Sequence, residues 1–304
     1  MRESNLIHGT VDRIQRRNFL CSTLGTIVTL AGSREVLGLE GKKPLPPPAR
    51  KSRIAFNTAN LVARVSNYRF ELSHWMDQHQ KTIAATDEAA WRAICREIAA
   101  TGFKAVEIWE AHASPEVMSL ERARLWKKIL EDAGLRPVAY AGTLRRESLQ
   151  MAAWMEIPHI DGGLGSLSLE QATSLCREFQ IGFNLENHPE KSAAEILKKI
   201  GGGNQWLGVC VDTGWLGTQG VPAAEAIKTI GPFVRHAHIK DVKAAGKHET
   251  CLLGEGIVNV PACLKALSEI KYAGWYSWED EPEDRNPFDS ALRNRQWIEN
   301  QLPA

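Results

Sequence analysis

The sequence predicts an α/β protein of the (β/α)₈ TIM-barrel class, and three observations carry that prediction. From residue 52 onward, short apolar runs alternate with amphipathic helical stretches, and eight such pairs follow one another. The stretch is about 250 residues long, the usual length of such a barrel. The first apolar run continues as FNTANLV at residues 56–62, without the GxGxxG turn expected of the rival doubly wound sheet.

The strands are predicted at 53–57, 105–109, 136–140, 157–161, 182–186, 208–212, 234–240 and 275–279. The helices between them are predicted at 87–101, 120–133, 146–155, 169–179, 192–200, 223–230, 260–270 and 289–301. In the first helix Ala90, Ile94, Cys95 and Ile98 share one face, and Gly102 follows its end. In the second, Leu125, Ile129 and Leu130 form the stripe before Gly134. Both glycines sit where a helix C-terminus needs a left-handed residue, and TGFKAVEI and AGLRPVAY lead from them into the next strands. The later strands are apolar runs that end in polar residues: NLENH, VDTG, HAHIKD and SWEDE.

The N-terminal segment reads as an address. Residues 13–33 are RIQRRNFLCSTLGTIVTLAGS, with the pair Arg16-Arg17, then Phe19-Leu20 and an uncharged run of 16 residues from Asn18 to Ser33. That is the layout of a twin-arginine signal peptide, assigned to residues 1–33, and it predicts a periplasmic or otherwise exported protein. The run is too short and mild for a stable membrane anchor. Residues 34–51 contain KKPLPPPAR and are predicted to be an extended proline-rich linker, so the barrel is assigned to 52–304.

Charge is balanced, with 37 basic and 36 acidic residues. Removing residues 1–33 takes away four arginines and two acids and leaves 33 basic against 34 acidic residues, net −1. A nucleic-acid partner is not expected, because counterion release needs a basic face. The six cysteines are scattered at 21, 95, 176, 210, 251 and 263 without a CxxC pair, and buried free thiols are expected. A homo-oligomer is compatible with the chain.

In a parallel barrel all strand C-termini meet at one mouth, where active sites form. A carboxylate at the end of a buried strand needs a partner. A divalent cation held by Glu186, Asp212, His238 and Glu279 satisfies four strand ends together. Three carboxylates and one imidazole suit Mn²⁺ first, with Zn²⁺, Co²⁺ or Mg²⁺ as alternatives. Asn187, His188, Lys240, His112, Trp109 and Trp215 are expected around the metal as substrate-binding groups, with Asp241 beside Lys240 and Trp278 also near the mouth. His236, two residues before His238, is expected deeper in the barrel.

The segments GFKAVEIWEAH, NLENH, VCVDTG, HAHIKD, LLGEG and GWYSWED resemble, in order and spacing, the xylose-isomerase-like TIM barrels over about residues 52–300. That superfamily includes sugar and sugar-phosphate isomerases and epimerases, inosose dehydratase and endonuclease IV. The resemblance implies a metal bound by Glu186, Asp212, His238 and Glu279, with Glu186 and Glu279 also acting as acid and base. Trp215 stands where the family often has a histidine, and no phosphate-binding arginine follows His238 in KDVKAAGKHET. Both departures favour a free sugar or glycoside over nucleic acid or a sugar phosphate. The implied activity is metal-dependent isomerisation or epimerisation of a small-molecule sugar through an enediolate. The alternatives are an exported 3-keto-glycoside lyase or dehydratase on the same site, and a non-catalytic periplasmic sugar-binding barrel.

Overall fold

Eight parallel strands close on themselves in the computed structural model, which describes residues 49–302. The segments read as a signal and most of the linker, residues 1–48, lie outside the described residues. The strands are β1 Ile54–Asn57, β2 Ala105–Trp109, β3 Arg136–Ala141, β4 His159–Gly162, β5 Gly182–Glu186, β6 Leu207–Asp212, β7 Val234–Ile239 and β8 Tyr276–Trp278. Each pairs with the next, and β8 returns to β1 through the registers Ile54–Tyr276 and Phe56–Trp278. The predicted barrel is therefore present, and closure leaves no strand edge exposed.

The helices among the described residues are α1 Trp75–Ala85, α2 Glu88–Ala100, α3 Leu120–Asp132, α4 Arg146–Trp154, α5 Leu169–Phe179, α6 Ala193–Lys199, α7 Thr213–Thr218, α8 Ala223–Ile230, α9 Val260–Glu269 and α10 Phe288–Gln301. Eight match the predicted positions within a residue or two. Gly102 and Gly134 adopt φ of 84° and 71°, as their places after α2 and α3 require. The buried faces differ in detail: Trp91 takes the place of Ala90 in α2 and Trp126 that of Leu125 in α3, and the two rings stack on each other at 6.3 Å. None of the helices among the described residues is long and apolar enough to cross a membrane. Cys95, Cys176, Cys210 and Cys263 are free and buried, and Cys251 is free and half-buried.

Two helices have no counterpart in the sequence prediction. α1 buries only Gln78, Thr82 and Ile83, so it has almost no apolar stripe to read. α7 is six residues, TGWLGT, with two glycines; it starts because the Asp212 side chain accepts the Trp215 N–H at 2.9 Å. β4 begins at His159 rather than 157, since Glu156 turns at φ 56° and Pro158 has no N–H for a ladder.

The outer core lies between strands and helices. Phe56 packs against Phe103, Trp278 and Phe288 at centroid distances of 5.4–5.5 Å. Trp278 belongs to this shell and not to the mouth, which corrects its expected place: it alternates with Ser277 along β8 and points outward. The inside of the barrel is polar. Glu107, Asp161, Asn184, His236, His238 and Ser277 are all buried.

Candidate active site

Glu186 and Asp212 are the last residues of β5 and β6, His238 lies one before the end of β7, and Glu279 follows β8. The barrel brings the four together: one donor atom from each lies within 4.8 Å of the others. His238 Nδ1 is 2.8 Å from Glu186 Oε1 and 3.1 Å from Glu279 Oε2. Asp212, His238 and Glu279 are buried, and the Glu186 side chain is 11% exposed to the mouth.

Three of these side chains are held from behind. Asn57 Nδ2 donates to Glu279 Oε1 at 2.7 Å and leaves Oε2 facing inward. Asp212 Oδ1 is taken by the Trp215 N–H, which leaves Oδ2. Glu107 Oε1 lies 2.9 Å from His238 Nε2. With the proton on Nε2 and donated to Glu107, the Nδ1 lone pair faces the two glutamates. That arrangement of carboxylate, imidazole and inward acceptor is what a metal ligand set needs, so the residues present fit a divalent ion.

Lys240 is buried and bridges the same carboxylates, with Nζ 3.4 Å from Asp212 Oδ2, 3.0 Å from Glu279 Oε2 and 2.5 Å from Glu281 Oε2. Its stem runs over Gly214, where a Cβ would fall 2.5 Å from Lys240 Cγ; this is why VDTG ends in glycine. Burial alone would raise the Glu279 carboxyl, but His238 and Lys240 hold it below the usual range. Burial raises Asp212, with Glu279 adding to the rise against Lys240. Glu281 is pushed up to about 7 by burial, against the pull of Lys240. Burial also acts to raise Glu107, yet His238 and His236 together bring it well below its ordinary value.

A cavity of about 510 Å³ opens above this centre, within the roughly 300–1,000 Å³ of small-molecule sites. Glu186 and Glu279 reach it, as do His188, Trp109, Trp215 and Trp75. His188 Nε2 is 3.6 Å from Glu186 Oε2, and its ring meets Trp215 edge-on at 5.0 Å. Trp75 of α1 packs on Trp109 at 5.2 Å. On another part of the lining, Arg145 pairs with Glu110, which also accepts the Thr143 N–H at 3.1 Å.

Two expected substrate contacts are elsewhere. Asn187 is buried and spends both ends of its amide on Asp212: Oδ1 accepts the Asp212 N–H at 3.0 Å and Nδ2 donates to the Asp212 carbonyl at 3.1 Å. It clamps a backbone and, being buried, does not line the cavity. His112 is buried against Trp91 and Trp109 with Nδ1 3.2 Å from Thr58 Oγ1, and it does not line the cavity. Burial, with Arg64 and His79, pushes its imidazole down to about 3. Asp241 does not pair with Lys240 either. Its carboxylate accepts the N–H groups of Val242, Gly254, Gly256 and Val258, each at 3.0 Å, and shapes the LLGEG loop.

Sequence reasoning missed Asn57, Glu107, Glu281 and Trp75. Glu107 had a readable signal, a lone carboxylate inside the apolar run AVEIW that needs a buried partner. Trp75 had none, because α1 lacks amphipathic patterning.

Residues 167–301, which span all four converging side chains, match the family model described as xylose isomerase-like TIM barrel. An inosose dehydratase of Klebsiella pneumoniae subsp. pneumoniae is 24% identical over 166 residues, 48% of this chain and 54% of that protein. The match thus spans about half the length of that curated relative. Among solved structures, a xylose isomerase-like TIM barrel protein from Mycobacterium smegmatis in complex with magnesium superposes with a TM-score of 0.61 at 15% identity, covering 82% of this chain and 96% of that one. D-allulose 3-epimerase from Methylomonas sp. gives 0.57 at 15% identity, covering 85% of this chain and all of that one. At these identities the superpositions establish the fold.

Proposed function

We propose that this xylose isomerase-like barrel is a divalent-metal-dependent enzyme that moves a proton on the carbon next to a carbonyl of a sugar or sugar-like polyol. The observation that carries the reading is the quartet itself: Glu186, Asp212, His238 and Glu279 turn donor atoms to one point, and for Asp212, His238 and Glu279 another atom is tied by a separate partner. When bound there, a divalent ion supplies Lewis-acid polarisation of the carbonyl and stabilises negative charge on its oxygen. Mn²⁺ suits the oxygen-rich donor set, and Zn²⁺, Co²⁺ and Mg²⁺ are compatible with it.

The remaining chemistry belongs to side chains. Glu186 and Glu279 both reach the cavity floor. One takes the proton from carbon to give an enediolate, and the other returns a proton to the opposite face or the neighbouring carbon. With His238 neutral as a ligand, Lys240, 3.0 Å from Glu279 Oε2, is the cation that favours the ionised carboxylate a base needs. His188 and Trp215 offer an edge and a flat ring against which a sugar can be positioned.

Dehydration is the second reading, supported by the similarity to inosose dehydratase. The same proton leaves carbon, and a β-hydroxyl departs as water after taking a proton from the Lys240–Glu281 pair at the site's edge.

Ketoses, keto-inositols and 3-keto-glycosides are incubated with the metal-loaded protein in deuterated water and followed by proton NMR. Deuterium entering an intact skeleton marks epimerisation or isomerisation, and loss of a hydroxyl marks dehydration. Glu186→Gln is expected to lower either rate at least 10³-fold, on the order of 4 kcal/mol of barrel-mouth catalysis. Saturable sugar binding with no exchange in the unaltered protein would identify a binding barrel and overturn the enzymatic reading.

A further inference from the structure

A second group of metal-ligating side chains lies inside the barrel, below the mouth. His159 opens β4, Asp161 follows two residues later on it, and His236 is the third residue of β7. Asp161 and His236 are fully buried, while the His159 side chain is 16% exposed at the start of its strand. The donor atoms of the three lie within 4.8 Å of one another.

We infer that His159, Asp161 and His236 form a second divalent-ion site, distinct from the mouth quartet and suited to zinc. Two of its atoms are otherwise unaccounted for. Asp161 Oδ2 and His236 Nδ1 are buried and have no hydrogen-bond partner. They lie 3.6 Å apart, too long for a proton to bridge well. Asp161 Oδ2 is also 3.0 Å from His159 Nδ1. Ligands placed about 2.1 Å from a tetrahedral zinc are separated by roughly 3.4 Å, which both spacings bracket. His159 Nδ1 also lies 3.1 Å from Asp161 Oδ1, so His236 Nδ1 is the nitrogen left facing the carboxylate without a hydrogen bond, an arrangement that a dry interior penalises and that a cation between them relieves.

The supporting shell is already in place. Asn184, opposite Asp161 in the β4–β5 register, donates Nδ2 to Asp161 Oδ1 at 2.7 Å and leaves Oδ2 as the inward atom. Its neighbour in the β5–β6 register is Gly208, where a Cβ would lie 2.7 Å from Asn184 Oδ1, so the glycine makes room for that amide. His236 Nε2 is 3.0 Å from Glu107 Oε2. Glu107 thus holds two imidazoles at once, with His238 Nδ1 facing the mouth and His236 Nδ1 facing Asp161. Two imidazoles and one carboxylate are a donor set that zinc accepts with one position left for water. This site stands apart from the proposed reaction, and its ion would brace β4 against β7 across the barrel interior.

The test counts zinc per chain. Metal-stripped full-length protein is dialysed against buffered micromolar zinc and analysed for the unaltered chain, Asp212→Asn, His159→Leu and the double variant. Two, one, one and zero equivalents are expected. If the mouth quartet takes no zinc, the series reads one, one, zero and zero; the inner site then stands and the metal reading of the mouth falls. A zinc content left unchanged by His159→Leu overturns the inference. Should His159→Leu fail to fold, zinc-edge X-ray absorption of Asp212→Asn decides: a shell with two imidazoles supports the site, and its absence, or no retained zinc, overturns it.

Discussion

Asn187 shows how a residue next to a ligand can matter without touching substrate. Both ends of its amide grip the backbone of Asp212, whose own carboxylate is already shared with the first turn of α7. Removing that grip leaves a buried N–H and C=O unpaired and lets the carboxylate wander. Asn187→Ala is therefore expected to weaken divalent-metal affinity roughly 10–100-fold, the usual effect of losing a partner behind a ligand. Chelator competition measures it, and affinity within a factor of two of the unaltered protein would contradict the clamp. Direct sugar contact predicts the opposite split, with metal affinity unchanged and KM raised.

At the scale of elements, two segments outside the regular β/α alternation stand out, α1 at the mouth and the LLGEG loop after β7. α1 carries Trp75 onto Trp109 at the cavity wall, although the helix itself buries little apolar surface. Trp75→Ala is expected to raise KM about tenfold, close to 1.4 kcal/mol, with metal content unchanged; steady-state kinetics beside metal analysis reads both. The LLGEG loop is tied to the end of β7 by the Gly254 and Gly256 amides that Asp241 accepts, with the Val258 amide just beyond it. In Asp241→Asn one acceptor oxygen becomes an NH₂ group facing amide donors. A loss of roughly 2–3 kcal/mol is expected, with faster hydrogen exchange at Gly254 and Gly256 in particular. Unchanged exchange at both glycines would show that the loop is held by something else.

Acid stability is a property of the whole barrel, because the buried imidazole of His112 can gain a proton freely only when the chain unfolds. Its pKa is about 3 in the folded protein, and an ordinary histidine titrates near 6.5 when unfolded. Between those values the unfolded chain binds the extra proton, so this contribution to stability is present above pH 6.5 and is lost as pH falls towards 3. The melting temperature is expected to drop across that window, and His112→Gln to flatten the drop. A melting curve with the same slope in both proteins would remove His112 from the account.

The amino-acid sequence by itself determined the alternation of strands and helices, the closed barrel, and which four strand ends bear ligand-type side chains. Those features are local in origin: apolar periodicity selects the elements, parallel crossover connections close the sheet, and a carboxylate at the end of an apolar run stands out in one dimension. Only the tertiary structure decided that Asn187 and Asp241 serve the backbone, that His112 is sealed behind Trp109, and that Lys240 lies among the carboxylates. It also decided that Glu107 on β2 meets two histidines 129 and 131 residues away. Strand periodicity says which side of the sheet a residue faces, but its partner is chosen by closure of the barrel, which brings distant strands face to face across a dry interior.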